Sequence, residues 1–197
     1  LIALFPHHVM ACTRPRAAWA HPDIDKDGNE YMGITFKAKG PTHEADYQIP
    51  CGKCEGCIAN TRRDWGVRMY HEAQSYDQNS FLTLTYSDDN LPPKLQKRDL
   101  DLFLARLRKK LKVRYFITGE YGEKTNRPHY HAIIFGHDFR SGRYTYNISD
   151  ELWGNKTLDR TWSHGNVVIG DFTAASAMYT AGYVAKKIND KDTFSIM

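Results

Sequence analysis

The sequence predicts an α+β fold, with β-rich runs paired by short connections and amphipathic helices beside them. Two observations predict it. Runs of period-two alternation, such as FLTLTY at 81–86, are interleaved with runs of helical period, such as DLDLFLARLRKKL at 99–111. In addition, VRYFITGEY (113–121) and HYHAIIF (129–135) lie either side of a polar GEKTNRP connection and read as an antiparallel hairpin.

The 197 residues and 41% hydrophobic content suit one main domain with a small appendage. Met10-Ala11-Cys12 reads as a natural start, so residues 1–9 are expected to be an extension, 10–60 an N-terminal hairpin with a Cys-rich element, and 61–197 the main domain. The terminal DTFSIM reads as a cut inside a longer protein. Net charge is only +4, but cations gather at Arg62/Arg63/Arg68, at Arg106/Arg108/Lys109/Lys110/Lys112 and at Lys186/Lys187, a pattern that permits a polyanionic partner. No stretch approaches the roughly 20 apolar residues of a spanning helix, and LIALF is too short for a signal-peptide core. The expected compartment is the cytoplasm.

Along the chain, DIDKDG (23–28) imitates the opening of a calcium loop, but Ile34 stands where that loop needs a bidentate Glu. The segment is read instead as a hairpin, with KDGN the turn and YMGITFK a strand. Residues 58–76 place Trp65, Met69, Ala73 and Tyr76 on one helical face. In the strand at 80–86, Phe81, Thr83 and Thr85 point one way and Leu82, Leu84 and Tyr86 the other. The next helix carries Leu100, Phe103, Leu104, Leu107 and Leu111 at helical spacing, with Asp99 as its expected cap. The cations at its end suit the helix dipole as a solvated face, with phosphate contact the alternative. Residues 137–156 read as irregular, LDRTWSHG as a short helix stopped by Gly165, NVVIG as a last strand, and AASAMYTAGYVAKKI as a helix capped by Thr173.

Two segments carry chemistry. On a strand, His129 and His131 share a face while Tyr130 points away. A carboxylate from the neighbouring strand, about 5 Å off, completes a His-His-acid site with positions left for water or phosphate. Glu120 is the expected third ligand and Glu123 the second choice; two strand histidines bonded to nearby carbonyls are the plainer alternative. On the last helix, Tyr179 and Tyr183 are four apart and share a face, with Lys186 and Lys187 one turn beyond. A phenol with a pKa near 10 is a poor nucleophile at neutral pH, so it needs a base or a metal beside it.

PCGKCEGC (50–57), FLTLTYSDDNLP (81–92), GEYGEKTNRPHYHAIIFG (119–136) and YTAGYVAKK (179–187) together resemble the HUH endonuclease superfamily. Within it they resemble the rolling-circle replication initiators of gokushovirus-type microviruses, which are single-stranded DNA phages. The resemblance implies a central antiparallel sheet of about five strands, an HUH or RRM-like palm flanked by helices, with FLTLTY beside the strand of the histidines. It also implies that 61–197 is an endonuclease domain. Such a domain nicks single-stranded origin DNA through a tyrosine, keeps the 5′ phosphate as an ester, frees a 3′ hydroxyl for a polymerase, and later rejoins the strand. The resemblance makes His129 and His131 ligands of Mg²⁺ or Mn²⁺, matches Tyr183 with Lys186 to Y-x-x-K, and makes Tyr179 the paired tyrosine, Tyr183 being favoured as first nucleophile. The residue three beyond Tyr179 is Gly182 where a duplicated motif would have Lys. The implied partners are origin DNA and the host polymerase and helicase, in the bacterial cytoplasm.

Cys51, Cys54 and Cys57 form C-x-x-C-x-x-C, and Cys12 supplies a fourth thiol for a tetrahedral zinc site. An iron-sulfur cluster or reduced thiols are the alternatives, and a reducing cytoplasm disfavours disulfides. Single strands are held by cations on phosphates and aromatic faces on bases. Arg62, Arg63, Arg127 and Lys187 are the phosphate candidates; Tyr86 heads the aromatic ones, with Tyr121, Tyr130 and Trp162. A non-catalytic zinc-containing single-strand-binding module is the alternative function. Another His-metal phosphoesterase is disfavoured because position 133 is Ile.

Overall fold

A computed structural model describes residues 11–38, 40, 43–149, 151–186 and 194–196 of the chain, which divides into two compact units between Asn60 and Thr61. In the first unit, β1 (Arg16–Ile24) folds back on β2 (Glu30–Thr35), with Ile24 opposite Glu30. The turn forms because the Asp25 carboxylate accepts the backbone N–H groups of Asp27 and Asn29, each at 2.9 Å. The calcium-like segment is therefore a hairpin. β3 (Tyr47–Ile49) pairs with the other edge of β1, giving the order β2-β1-β3.

The second unit takes most of α1 (Glu55–Ala73), then β4 (Asn79–Thr85), a 3-10 turn (Asp88–Asn90), α2 (Lys97–Arg108), β5 (Arg114–Tyr121) and β6 (Pro128–Phe135). β7 (Arg143–Asn147), β8 (Leu152–Asn155), α3 (Lys156–Trp162), β9 (Val167–Asp171), α4 (Ala174–Lys186) and β10 (Phe194–Ile196) complete it. The strands form one antiparallel sheet in the order β10-β5-β6-β4-β9-β8-β7. FLTLTY thus lies beside the histidine strand. The sheet has seven strands rather than about five. β7 and β8 occupy the stretch read as irregular, because RYTYN is half-exposed or exposed along its whole length and shows no apolar alternation.

Register sorts the side chains into two layers. Phe81 opposes Ile133, Thr83 opposes His131, and Thr85 opposes His129, so these share one face. That face packs Phe116, Ile133 and Phe135 against Met69 and Ala73 of α1 and Ala177 and Ala181 of α4. The other face packs Leu82, Leu84, Tyr130 and Ile134 against Leu100, Phe103 and Leu107 of α2 and Leu158 and Trp162 of α3. Each fully buried large apolar side chain contributes about 1.5–3 kcal/mol relative to exposure.

Helix ends depart from expectation in two places. α2 begins at Lys97 with Gln96 in the cap position and no side-chain cap. Asp99 instead accepts the hydroxyl of Tyr86 at 2.9 Å. α3 is capped by Asn155, whose side chain accepts from the N–H of Thr157 and Leu158, and stops at Ser163, which takes the left-handed conformation (φ 65°) two residues before Gly165. Thr173 does cap α4. Its Oγ1 accepts the Ser176 N–H at 3.1 Å while Ser176 Oγ accepts the Thr173 N–H at 2.8 Å. No helix among the described residues is long and apolar enough to cross a membrane.

Candidate active site

Glu120 on β5 stands directly opposite His129 on β6, and His131 projects from the same face two residues on. Nε2 of His129 and Nε2 of His131 lie 2.8 and 3.0 Å from one oxygen, Oε1 of Glu120. Their other nitrogens are held from behind. Nδ1 of His129 bonds the carbonyl of Arg127 at 3.2 Å, and Nδ1 of His131 lies 3.1 Å from the hydroxyl of Thr83. A backbone carbonyl only accepts, so His129 carries a proton on Nδ1 and turns Nε2 toward the carboxylate.

The electrostatics follow from burial and these bonds. Burial opposes charge on Glu120, but hydrogen bonds from His129, His131 and Tyr183 outweigh it and hold the carboxyl at about 2. Burial also opposes charge on His129, yet the bonds to Glu120 and Arg127 raise its pKa. For His131 burial wins, despite Glu120, and its pKa falls.

Two nitrogens and a carboxylate within 4.8 Å of one another form a group that can hold a metal ion. Neighbouring ligands on an octahedral ion with bonds of about 2.1 Å lie about 3.0 Å apart, close to the 2.8 and 3.0 Å separations here. The donor set fits. Glu123 is exposed in the β5–β6 connection and lies outside the group.

Both tyrosines of α4 come to this group. The imidazole of His131 is sandwiched between Phe81 (centroids 5.5 Å apart, planes 11°) and Tyr183 (5.1 Å, 10°). Tyr183 is only 8% exposed. Burial, then hydrogen bonds with Tyr179 and Glu120, raise its phenol above the ordinary value. Tyr179 is 48% exposed and meets His131 and Tyr183 edge-on, at 5.3 and 5.0 Å. Lys186 closes α4, but its side chain lies outside the described part of the structure, as does Lys187 altogether.

The four cysteines converge in the first unit. Sγ of Cys12 lies 3.8 Å from that of Cys54, and Sγ of Cys51 lies 4.0 Å from that of Cys57. Four thiolates at about 2.3 Å on a tetrahedral zinc stand about 3.8 Å apart, so this group also fits a metal. Hydrogen bonds from the N–H groups of Cys57 and Thr13 hold the Cys54 thiol at about 5, whereas burial pushes Cys57 up to about 12.

The expected DNA contacts divide. Arg62 is exposed. Arg63 pairs with its neighbour Asp64 at 2.8 Å. Arg127 does not stand free: Nη1 bonds Asp88 at 2.5 Å and Nη2 the Tyr86 carbonyl at 3.0 Å, tying the β5–β6 connection to the exit of β4. Tyr86 departs from expectation altogether. It is 5% exposed, its hydroxyl bonds Asp99 and Tyr130, and its ring packs edge-on against Trp162, so no face is open to a base. Tyr130 and Trp162 are fully buried too. Thr83 and Phe81, which orient His131, were absent from the expected set; the alternation of FLTLTY already places both on one face.

Comparison with known proteins agrees with this arrangement. The family model described as replication-associated protein ORF2 matches residues 79–188, a span holding the strands of the site and both tyrosines. The chain is 38% identical over 200 residues to the replication-associated protein VP4 of Bdellovibrio phage phiMH2K, covering 93% of this chain and 61% of that protein. It is 36% identical over 159 residues to the replication-associated protein ORF2 of Spiroplasma virus 4, covering 73% and 50%. With the replication-associated protein ORF4 of Chlamydia phage 1 it shares 31% over 157 residues, covering 72% and 39%. The chain therefore spans between about two fifths and three fifths of the length of these curated relatives. No solved structure gives a significant match.

Proposed function

We propose a function for this chain on the footing that it belongs to the replication-associated protein ORF2 family. It is a replication initiator of a single-stranded DNA phage, acting in the host bacterial cytoplasm as an HUH endonuclease that nicks and later rejoins origin DNA. Tyr183 is the first nucleophile. Its phenolic oxygen bonds the scissile phosphorus, the 3′ oxygen leaves as a hydroxyl, and the 5′ phosphate stays on the protein as a tyrosyl ester. The ester conserves the energy of the phosphodiester, so no nucleotide is consumed. Tyr179 makes the second cut after one round of synthesis, and the freed 3′ hydroxyl attacks the first ester to close the circle. Host polymerase and helicase are the partners that use the primer.

His129, His131 and Glu120 would hold Mg²⁺ or Mn²⁺, which supplies the positive charge that polarises the scissile phosphate. Thr83 and the Arg127 carbonyl keep the two Nε2 atoms aimed at that place, and Phe81 prevents the His131 ring from turning away. The Tyr183 hydroxyl faces the ligand set through its bond to Glu120. Lys186, one helical turn beyond Tyr183, suits the phosphate charge. Cys12, Cys51, Cys54 and Cys57 would hold a structural Zn²⁺.

The observation that carries the reading is the contact of Tyr183 with both His131 and Glu120. Incubating the chain with Mn²⁺ and labelled single-stranded DNA is expected to give a protein–DNA band that survives SDS. Tyr→Phe changes at 183, at 179 and at both then assign the nucleophiles. Tight binding of single strands without any such band would favour the non-catalytic zinc-containing binding module.

A further inference from the structure

Tyr183 is followed three residues on by Lys186, but Tyr179 is followed at the same spacing by Gly182. The structure nevertheless places a cation there. Arg62, on α1, lies across α4 at this point. Its Nε donates to the carbonyl of Met178 at 3.1 Å, and a Cβ built on Gly182 would stand 3.6 Å from that Nε and 3.8 Å from Cζ. Gly66, one turn further along α1, lets the helices approach this closely, since a Cβ there would come within 2.3 Å of the Met178 sulfur.

Two features make this more than helix packing. Arg62 is exposed, and its bond to Met178 uses Nε, so that Nη1 and Nη2 have no hydrogen bond among the described residues. A guanidinium anchored on one side with its outer fork open suits bidentate contact with a phosphate. On a helix, position i+3 lies about 60° round from position i. The guanidinium over Gly182 therefore stands to Tyr179 as position 186 stands to Tyr183.

We propose that Arg62 is the phosphate-binding cation that serves Tyr179, delivered from α1 in place of a lysine at 182, and that the missing side chain of Gly182 is what admits it. The inference rests on the reading of Tyr179 as a second nucleophile. It gives the two tyrosines different cations: one fixed on their own helix, the other borne by a neighbouring helix.

The test uses the full chain with Mn²⁺ and single-stranded oligonucleotides of random sequence, followed by digestion and mass-spectrometric counting of nucleotidyl peptides at positions 179 and 183. The ratio is internal to each sample and does not depend on how much protein folds. Arg62→Ala is expected to lower the 179:183 ratio at least tenfold. Arg62→Lys keeps most of it, and Gly182→Lys added to Arg62→Ala restores it. In EDTA, Arg62→Ala should also reduce the slope of log Kd against log salt for a single strand by about 0.7, the loss of one phosphate contact. An unchanged ratio, an unchanged salt slope, or no adduct at Tyr179 in the unaltered chain overturns the inference and leaves the nuclease standing. Absence of adducts at both tyrosines overturns the nuclease as well.

Discussion

The ring of Tyr183 lies parallel to the imidazole of His131, their planes 10° apart and their centroids 5.1 Å apart. A helix side chain is thereby stacked on a strand side chain that belongs to the candidate ligand set. Tyr183→Phe keeps the stack and removes only the hydroxyl. We expect it to abolish the adduct at 183 while costing about 1 kcal/mol of stability, the net worth of a buried hydrogen bond. Adduct mapping and chemical denaturation of the same variant check both halves.

Glu120 is the oxygen on which both imidazoles converge. Glu120→Gln preserves its size but removes the charge. Loss of an outer partner of a metal ligand typically costs 10–100-fold in affinity, so loss of a ligand charge here should weaken Mn²⁺ binding at least about 100-fold in calorimetry. Because His129 in the metal-free protein holds its proton more tightly than an ordinary imidazole, ion binding should release that proton, and the affinity should rise with pH through that range. An affinity independent of both changes would place the ion elsewhere.

Among the described residues of the first unit, the buried apolar side chains are Ala18, Trp19, Cys54 and Cys57. A core of that size does not hold a fold by itself. Zinc in small metal-folded peptides supplies about 10–16 kcal/mol. Cys57→Ser should therefore remove stoichiometric zinc and collapse hydrogen-exchange protection in 11–60, while amides of β4, β5 and β6 stay protected.

Gly165 is a place where backbone meets backbone. A Cβ there would lie 2.2 Å from the Thr85 carbonyl oxygen and 2.7 Å from the Ser87 nitrogen. Gly165→Ala is expected to cost about 3 kcal/mol, the upper range for overpacking, since main chain cannot swing aside as a side-chain tip can. Gly170→Ala, where the nearest atom is 3.6 Å away, is the control and should change stability by less than about 1 kcal/mol.

The site was legible because it rests on local geometry. A period of two puts His129 and His131 on one face, and an antiparallel hairpin brings Glu120 opposite. A helix of 3.6 residues per turn aligns Tyr179 with Tyr183. What was misjudged depends on tertiary placement, and in one case the signal was already there. Tyr86 follows Leu82 and Leu84 at even spacing, on the face away from the histidines, so the alternation that located the site also puts Tyr86 in the opposite layer. Tyr130, between the histidines, is there for the same reason. Arg127 could not be placed from sequence, because its partners, Asp88 and the Tyr86 carbonyl, are some forty residues away. β7 escaped notice because polar and aromatic residues exposed on both faces leave no periodic apolar signal.

An anomalous difference map from crystals of the chain soaked in Mn²⁺ decides whether the metal centre exists. The expected peak is bonded to Nε2 of His129, Nε2 of His131 and the carboxylate of Glu120, with the Tyr183 ring still stacked on His131. A map with no peak there, the two imidazoles remaining hydrogen-bonded to Glu120 at saturating Mn²⁺, would rule the centre out.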